Sequence, residues 1–450
     1  MSDALPLPPR PNLEQYKKLA KDFQKACRSS DPSAIRNWAA HWAETIARLQ
    51  GLEITPELRR RIDFEAARMD QHWRKFAKTD SRATKCALAD AQFFIARGHG
   101  FASWPKFAKH LEGLARVDSP VSNFEAAVDA IVSGDLATLE KLLSENPQLV
   151  RTRSTREHRS TLLHYVSANG VEDFRQKTPK NIVEITKLLM QRGADVNAES
   201  DAYSGRSTTL GLTATSCHPE EAGVQLPLME LLIERGAIID GPDGGSAVNG
   251  CLHNGRREAA EFFASRGARL DLEAAAGVGR LDVVKSFFND DGSLKLTATP
   301  QQMKDGFAWA CEFGRTSVVD FLLQTNMKTD AKLKHDGQTG LHWAAYGGHV
   351  DIVKLLLQQG AAIDVKDETY GGMPLGWALY AWGNSSEGEA ERGSYYEVVA
   401  LLVQAGAKLD PQWYEENEDR VRAAKKIRSD PRMMAALGSE SNPQITQTKT

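Results

Sequence analysis

The sequence predicts an all-α protein in which a solenoid of stacked helix pairs follows a small helical bundle. Apolar residues recur at helical rather than strand spacing, and a paired-aliphatic motif followed by Gly-Ala returns along the chain. Between the two regions Asp118-Ser119-Pro120 interrupts both patterns. The 450 residues, 41% apolar and 26% charged, suffice for two or three cores, so disorder is not expected as the dominant state.

The first region, residues 1–118, reads as four or five amphipathic helices. Leu13, Tyr16, Leu19, Ala20 and Phe23 share one face; Ile35, Trp38, Trp42 and Ile46 share a second; Leu58, Ile62, Met69, Trp73 and Phe76 share a third. The stretch Leu88–Arg97 runs into a stop at Gly98, after which Ser103 and Pro105 open another helix. Residues 1–116 carry 21 Lys and Arg against 13 Asp and Glu, giving +8, while residues 117–450, with 35 against 46, carry −11. The run Arg59-Arg60-Arg61 would suit phosphate contacts, so a nucleic-acid-associated regulator is the alternative reading. Against it, the segment Trp104–Leu114 spends Trp104, Phe107, Leu111 and Leu114 on packing and leaves only Lys106, Lys109 and His110 facing outward. A cap on the open end of a solenoid fits better.

The second region, residues 122–410, is repetitive. In Asp336–Ala361, Thr339 is placed to cap a short helix, Ala344 and Ala345 permit close packing, and Gly348 ends the helix in a left-handed conformation. A second helix follows with Ile352, Val353, Leu356 and Leu357 on one stripe and Gly360 past its end. The same ending returns at Leu188-Leu189 with Gly193-Ala194, Leu231-Leu232 with Gly236-Ala237, Phe262-Phe263 with Gly267-Ala268, and Leu401-Leu402 with Gly406-Ala407. Degenerate copies cover Phe124–Arg153, Glu273–Thr299 and Gln301–Asp330, which makes about eight units. Residues 411–437 read as a charged pair of capping helices and 438–450 as a disordered tail.

The stretch Asp336–Ala361 resembles an ankyrin repeat nearly position for position, and the resemblance extends from about Phe124 to Asp410. It implies a non-catalytic module that binds a protein or peptide partner on its concave surface, and it implies that His164 and His342 bond neighbouring backbone. The Thr-Pro-Leu-His signature is never complete: Gly340 replaces its proline in the best copy, and Met373 and Gly376 flank Pro374 in the next. Segments inserted at Val171–Asn181, Cys217–Leu226 and Gly383–Ser394 lie between paired helices, where they are expected to project from one rim. The stretches Leu13–Asp22 and Leu88–Pro105 are similar to an N-terminal segment that precedes ankyrin repeats in a group of bacterial proteins without an assigned activity.

Little in the sequence points to chemistry. No phosphate-binding glycine loop, nucleophile elbow or paired-histidine zinc motif occurs, Gly277-Val278-Gly279 is too short to cradle phosphate, and Cys217 beside His218 lacks an orienting third group. Five scattered cysteines, Cys27, Cys86, Cys217, Cys251 and Cys311, are expected as buried thiols rather than as disulfides or zinc ligands. The expectation is therefore no enzyme, no cofactor and no metal, with an unrecognised enzyme kept as the other alternative reading. No apolar run is long enough to span a bilayer, which reads as a cytoplasmic chain without a membrane partner; oligomeric state is left open.

Aromatic residues mark the candidate site. Tyr165, Trp309, Trp343 and Trp377 share one repeat position, and Phe313, Tyr346 and Tyr380 are expected on the concave face beside them. Tyr370 in the preceding hairpin would close one side, and Glu312 suggests a partner with some positive charge. The expected binding set is Trp309, Glu312, Phe313, Trp343, Tyr346, Tyr370, Trp377 and Tyr380.

Overall fold

A computed structural model describes residues 4–8, 10–49, 51–79, 86–241, 245–325, 327–332, 337–384, 389–409 and 418–438, with backbone alone at 78–79, 389–393 and 418–419. These residues form two compact units, 1–239 and 240–450. The tail expected at 438–450 lies outside the described residues except for Gly438, as do 410–417 and the centre of the insertion at 383–394.

The first unit opens with helices α1 (Leu13–Cys27), α2 (Ala34–Leu49), α3 (Pro56–Thr79), α4 (Leu88–Gly98) and α5 (Trp104–Leu114). Tyr16, Phe23, Trp42, Trp73, Ile95, Phe101 and Phe107 pack together as an aromatic-rich core. Two expectations fail here. Cys27 and Cys86 are joined as a disulfide with their Cα atoms 6.3 Å apart, because α1 packs against α4 and brings the two residues together. His110 faces inward at 1% exposure, where its Nδ1 lies 2.8 Å from Thr155 Oγ1. The Arg59-Arg60-Arg61 run is not free charge either, since Arg59 bonds Glu44 at 2.6 Å.

Ser119 caps the next helix by accepting from the Ser122 N–H, and Pro120 fills its first turn, so the break read at 118–120 is a helix start. The unit continues with α6 (Pro120–Ser133), α7 (Leu136–Glu145), α8 (Ile182–Gln191), α9 (Thr209–Thr215), α10 (Cys217–Glu221) and α11 (Gln225–Glu234). A short antiparallel pair, β1 (Glu199–Ser200) and β2 (Ser207–Thr208), joins α8 to α9.

The insertion expected to project at Val171–Asn181 instead folds inward. Glu172 and Arg175 from it join Glu125 and Arg156 in a buried ionic cluster: Arg156 donates to Glu125 at 2.7 Å and lies 2.8 Å from Glu172, while Arg175 donates to Glu125 at 2.6 Å. The Tyr165 hydroxyl also donates to Glu172 at 3.3 Å. Burial alone would raise both carboxyls, but the two guanidiniums overcome it and hold Glu125 and Glu172 below the ordinary carboxylate range.

The second unit contains α12 (Ala247–His253), α13 (Arg257–Ser265), α14 (Leu272–Gly277), α15 (Leu281–Ser286), α16 (Pro300–Glu312), α17 (Thr316–Gln324), α18 (Gly340–Tyr346) and α19 (Val350–Gln358). It ends with α20 (Pro374–Asn384), α21 (Glu389–Gln404), α22 (Glu418–Ser429) and α23 (Pro431–Ala436). The first helices of successive pairs, α14, α16, α18 and α20, stack side by side, and α22 packs on the last of them. Small residues set the spacing: a Cβ on Gly306 would come within 2.9 Å of Ala276, and one on Gly340 within 2.6 Å of Phe307. Val318, Val319, Leu322, Ile352, Val353 and Leu356 fill the space behind them.

The ionic cluster yields a prediction about acid. Folded-state values below the unfolded ones stabilise above about pH 4.3, and this contribution disappears as pH falls through the lowered values. Thermal melts followed from pH 6 down to 2 should therefore show the first unit losing stability below about pH 4, before the second. Loss of the second unit first would show that Glu125 and Glu172 do not carry this dependence.

Candidate functional site

The candidate site is built on one face of α16, α18 and α20. The start of α18 is fixed by a histidine. There the His342 ring accepts the Thr339 N–H at Nδ1, 3.1 Å away, which leaves Nε2–H to donate to the Gly372 carbonyl at 3.2 Å. His164 repeats the arrangement with Thr161 and Ser207 in the first unit. Burial lowers both imidazoles below their ordinary value, so they are neutral, structural groups.

Side-by-side packing of α16, α18 and α20 brings Trp309, Trp343 and Trp377 into register. Their centroids lie 6.2 Å apart for the first pair and 5.2 Å for the second, at interplanar angles of 52° and 73°. His253 continues the row beyond Trp309 at 5.4 Å, and Tyr370 beyond Trp377 at 6.3 Å. Tyr346 meets both Trp343 and Trp377, at 6.2 and 5.7 Å. Trp309, Trp343, Trp377, Tyr346 and Tyr380 are half-buried, whereas Tyr370 is 61% exposed. The structure thus brings together the six expected residues Trp309, Trp343, Tyr346, Tyr370, Trp377 and Tyr380 as a partly accessible aromatic row.

Phe313 is the exception, at only 8% exposure. It sits at the C-cap of α16, where α18 has Gly347, and stacks on Trp309 at 18° between planes. Glu312, one residue earlier, occupies the position that Tyr346 holds in α18. The expected groove residue was therefore off by one, and the acid is the one that takes the groove position.

Glu312 also differs from its expected state. Its Oε2 is buried and meets no hydrogen-bond partner, and burial pushes its carboxyl up to about 8. In the unliganded protein near neutrality it is mostly protonated, so it presents little standing negative charge.

Two further carboxylates escaped the sequence reading. Glu273 accepts the Trp309 indole N–H at 2.9 Å and meets His253 Nε2 at 2.6 Å, which raises the histidine above its ordinary value. Asp367 accepts the Trp377 indole N–H at 3.1 Å together with the backbone N–H groups of Thr369 and Gly372 at 3.0 and 2.7 Å. An aspartate opening the Asp367–Gly372 turn was a readable signal; Glu273, one repeat upstream of its indole, was not. Arg420 from α22 donates to the Tyr370 carbonyl at 3.3 Å and so closes the far end of the row. Among the described residues no cluster of three or more His, Cys, Asp or Glu could hold a metal ion.

The model of the family described as ankyrin repeats (3 copies) matches residues 272–367 and again 307–412, the stretch that contains this row. Residues 272–412 are thus similar to ankyrin repeats. Among solved structures, the human ASB11 ankyrin repeat domain is similar at 19% identity and a TM-score of 0.32, covering 63% of this chain and 99% of that one. No curated protein matches the chain. No described helix is long and apolar enough to cross a membrane.

The different settings of two aromatic residues can be separated by mutation. Phe313→Ala should cost about 3 kcal/mol, as expected of a core ring, while Tyr370→Ala should stay within about 0.5 kcal/mol. Chemical denaturation of both variants checks this, and equal losses would show that the C-cap of α16 has been misplaced.

Proposed function

We propose that this protein is a non-catalytic interaction module whose ankyrin repeats hold a protein or peptide partner along the aromatic row of α16, α18 and α20. The observation that supports this most is the continuity of the row. Three indoles one repeat apart would serve stability best if fully buried, yet each stays half-accessible. Rigid aromatic side chains already fixed by neighbours cost little ordering entropy when a partner docks on them, which is what an interface anchor requires. Glu273 and Asp367 pin the outer indoles through their N–H groups, so the row is preorganised rather than adaptable.

The catalytic reading has no comparable support. His164 and His342, the histidines at the repeat position, are occupied by backbone, and Cys251 and Cys311 are pushed above the ordinary thiol range by burial. The inserted segments, the next candidates for contact, are poorer ones: Glu172 and Arg175 are buried in the first, and Gln225 in the second donates to the Thr213 and Ser216 carbonyls at 3.0 Å.

Replacing Tyr346 and Tyr380 together by Ala in the full-length protein should weaken a captured partner by roughly 30-fold or more, equivalent to about 2 kcal/mol. The partner is identified by quantitative capture followed by mass spectrometry, and its affinity is then measured for both proteins. A folded double variant that holds the same partner at full affinity would place the contact elsewhere.

A further inference from the structure

We propose that the groove position at Glu312 receives a cationic side chain of the partner, a lysine or arginine lying over the aromatic row between Trp309 and Tyr346. This inference rests on the reading of the row as the partner-binding face and names the chemistry that the face selects.

The argument begins with what surrounds Glu312. Among the described residues its carboxyl has no lysine, arginine or histidine bonded to it, and its buried oxygen has no donor. Other acids near the row are already occupied: Glu273 by Trp309 and His253, Asp367 by Trp377 and the turn backbone. At the far end the chain supplies its own cation, because Arg420 lies at Tyr370 and feels Asp367 and Tyr380. Nothing equivalent serves Glu312. The nearby Arg315 is held by Glu261 and the Gly277 carbonyl, and His349 spends its Nε2–H on the Glu312 backbone carbonyl.

A half-buried carboxyl without a counter-ion beside electron-rich rings is complementary to an organic cation. Indole and phenol faces attract ammonium and guanidinium groups, and the attraction grows as water is removed. A neutral apolar residue could cover the same rings but would leave the carboxyl oxygen without a partner. Residues 240–450 carry 23 Lys and Arg against 29 Asp and Glu, a balance of −6 that favours the approach of a positive segment.

The proton balance gives the inference a distinctive signature. Burial holds the empty site mostly protonated near neutrality, and the arriving cation requires the carboxylate, so binding releases a proton. With a free-state value of about 8, affinity for the cation should rise about tenfold from pH 7 to pH 9 and then level off. Of the other titratable groups here, Tyr346 and His349 do not mimic that change, because burial raises the first above its ordinary value of 10.0 and lowers the second below 6.5; His253 beyond Trp309 is raised above 6.5 by its bond to Glu273, and Glu312→Gln, which keeps that bond, separates its contribution.

The test uses the full-length protein and three blocked glycine–serine peptides that differ only in a central lysine, arginine or norleucine. Binding is read from the indole ¹H–¹⁵N resonances of Trp309 and Trp343. The lysine or arginine peptide, or both, should shift them with the stated pH dependence, the norleucine peptide should bind at least about fivefold more weakly, and Glu312→Gln should remove the pH dependence. Which of the two cationic peptides binds more tightly identifies the side chain. Equal binding by norleucine, or binding by the cations that is flat with pH in the wild-type protein, overturns the inference and leaves the groove reading standing. Silence of both indoles toward all three peptides also overturns it. The groove reading fails separately, if a captured partner ignores the Tyr346 and Tyr380 substitutions.

Discussion

Close stacking of the first helices of successive repeats is the constraint on which the second unit depends. Helices α14, α16, α18 and α20 have only 6, 13, 7 and 11 residues, lengths at which an isolated helix is marginal at best. Each persists because its neighbour lies against it, and that contact is possible only where glycine and alanine replace bulk, as at Gly306, Ala310, Gly340, Ala344 and Ala378. A residue at a given position of one helix must then lie beside its equivalent in the next. The tryptophans form a row for this reason, and no separate device is needed to assemble it.

The first unit meets a related problem with polar material. An insertion between two helices delivers Glu172 and Arg175 to the interior, where they complete a cluster with Glu125 and Arg156. A cluster of this kind gains little over an apolar core of similar volume, but removal of any one member leaves a buried charge uncompensated. Its geometry is therefore tightly determined: Arg175 also reaches Asp129 on α6, tying the insertion to the start of the repeats.

Local rules made much of this legible. Gly348 takes the left-handed conformation expected of it, with φ +69°, and the histidines at the repeat position bond backbone as the resemblance implied. What the sequence concealed depends on contacts between residues far apart in the chain. The inward turn of Val171–Asn181 follows from Glu125 and Asp129, some 50 residues earlier. The pairing of Cys27 with Cys86 needs α1 and α4 side by side, at a separation of 59 residues. Phe313 was misread for a subtler reason: α16 ends on Phe313-Gly314 where α18 ends on Gly347-Gly348, so an aromatic at the cap looks like an aromatic on the groove.

The central claim is that the half-accessible tryptophans are the surface a partner covers. Hydroxyl-radical footprinting of the full-length protein, free and saturated with its captured partner, addresses this residue by residue. Trp309, Trp343 and Trp377 should be oxidised in the free protein and protected in the complex, while Trp73 and Trp382, at 3% and 1% exposure, should react slowly in both. Protection confined to helices α1–α5 or to the inserted segments, with the three row tryptophans still reactive in the complex, would contradict the account.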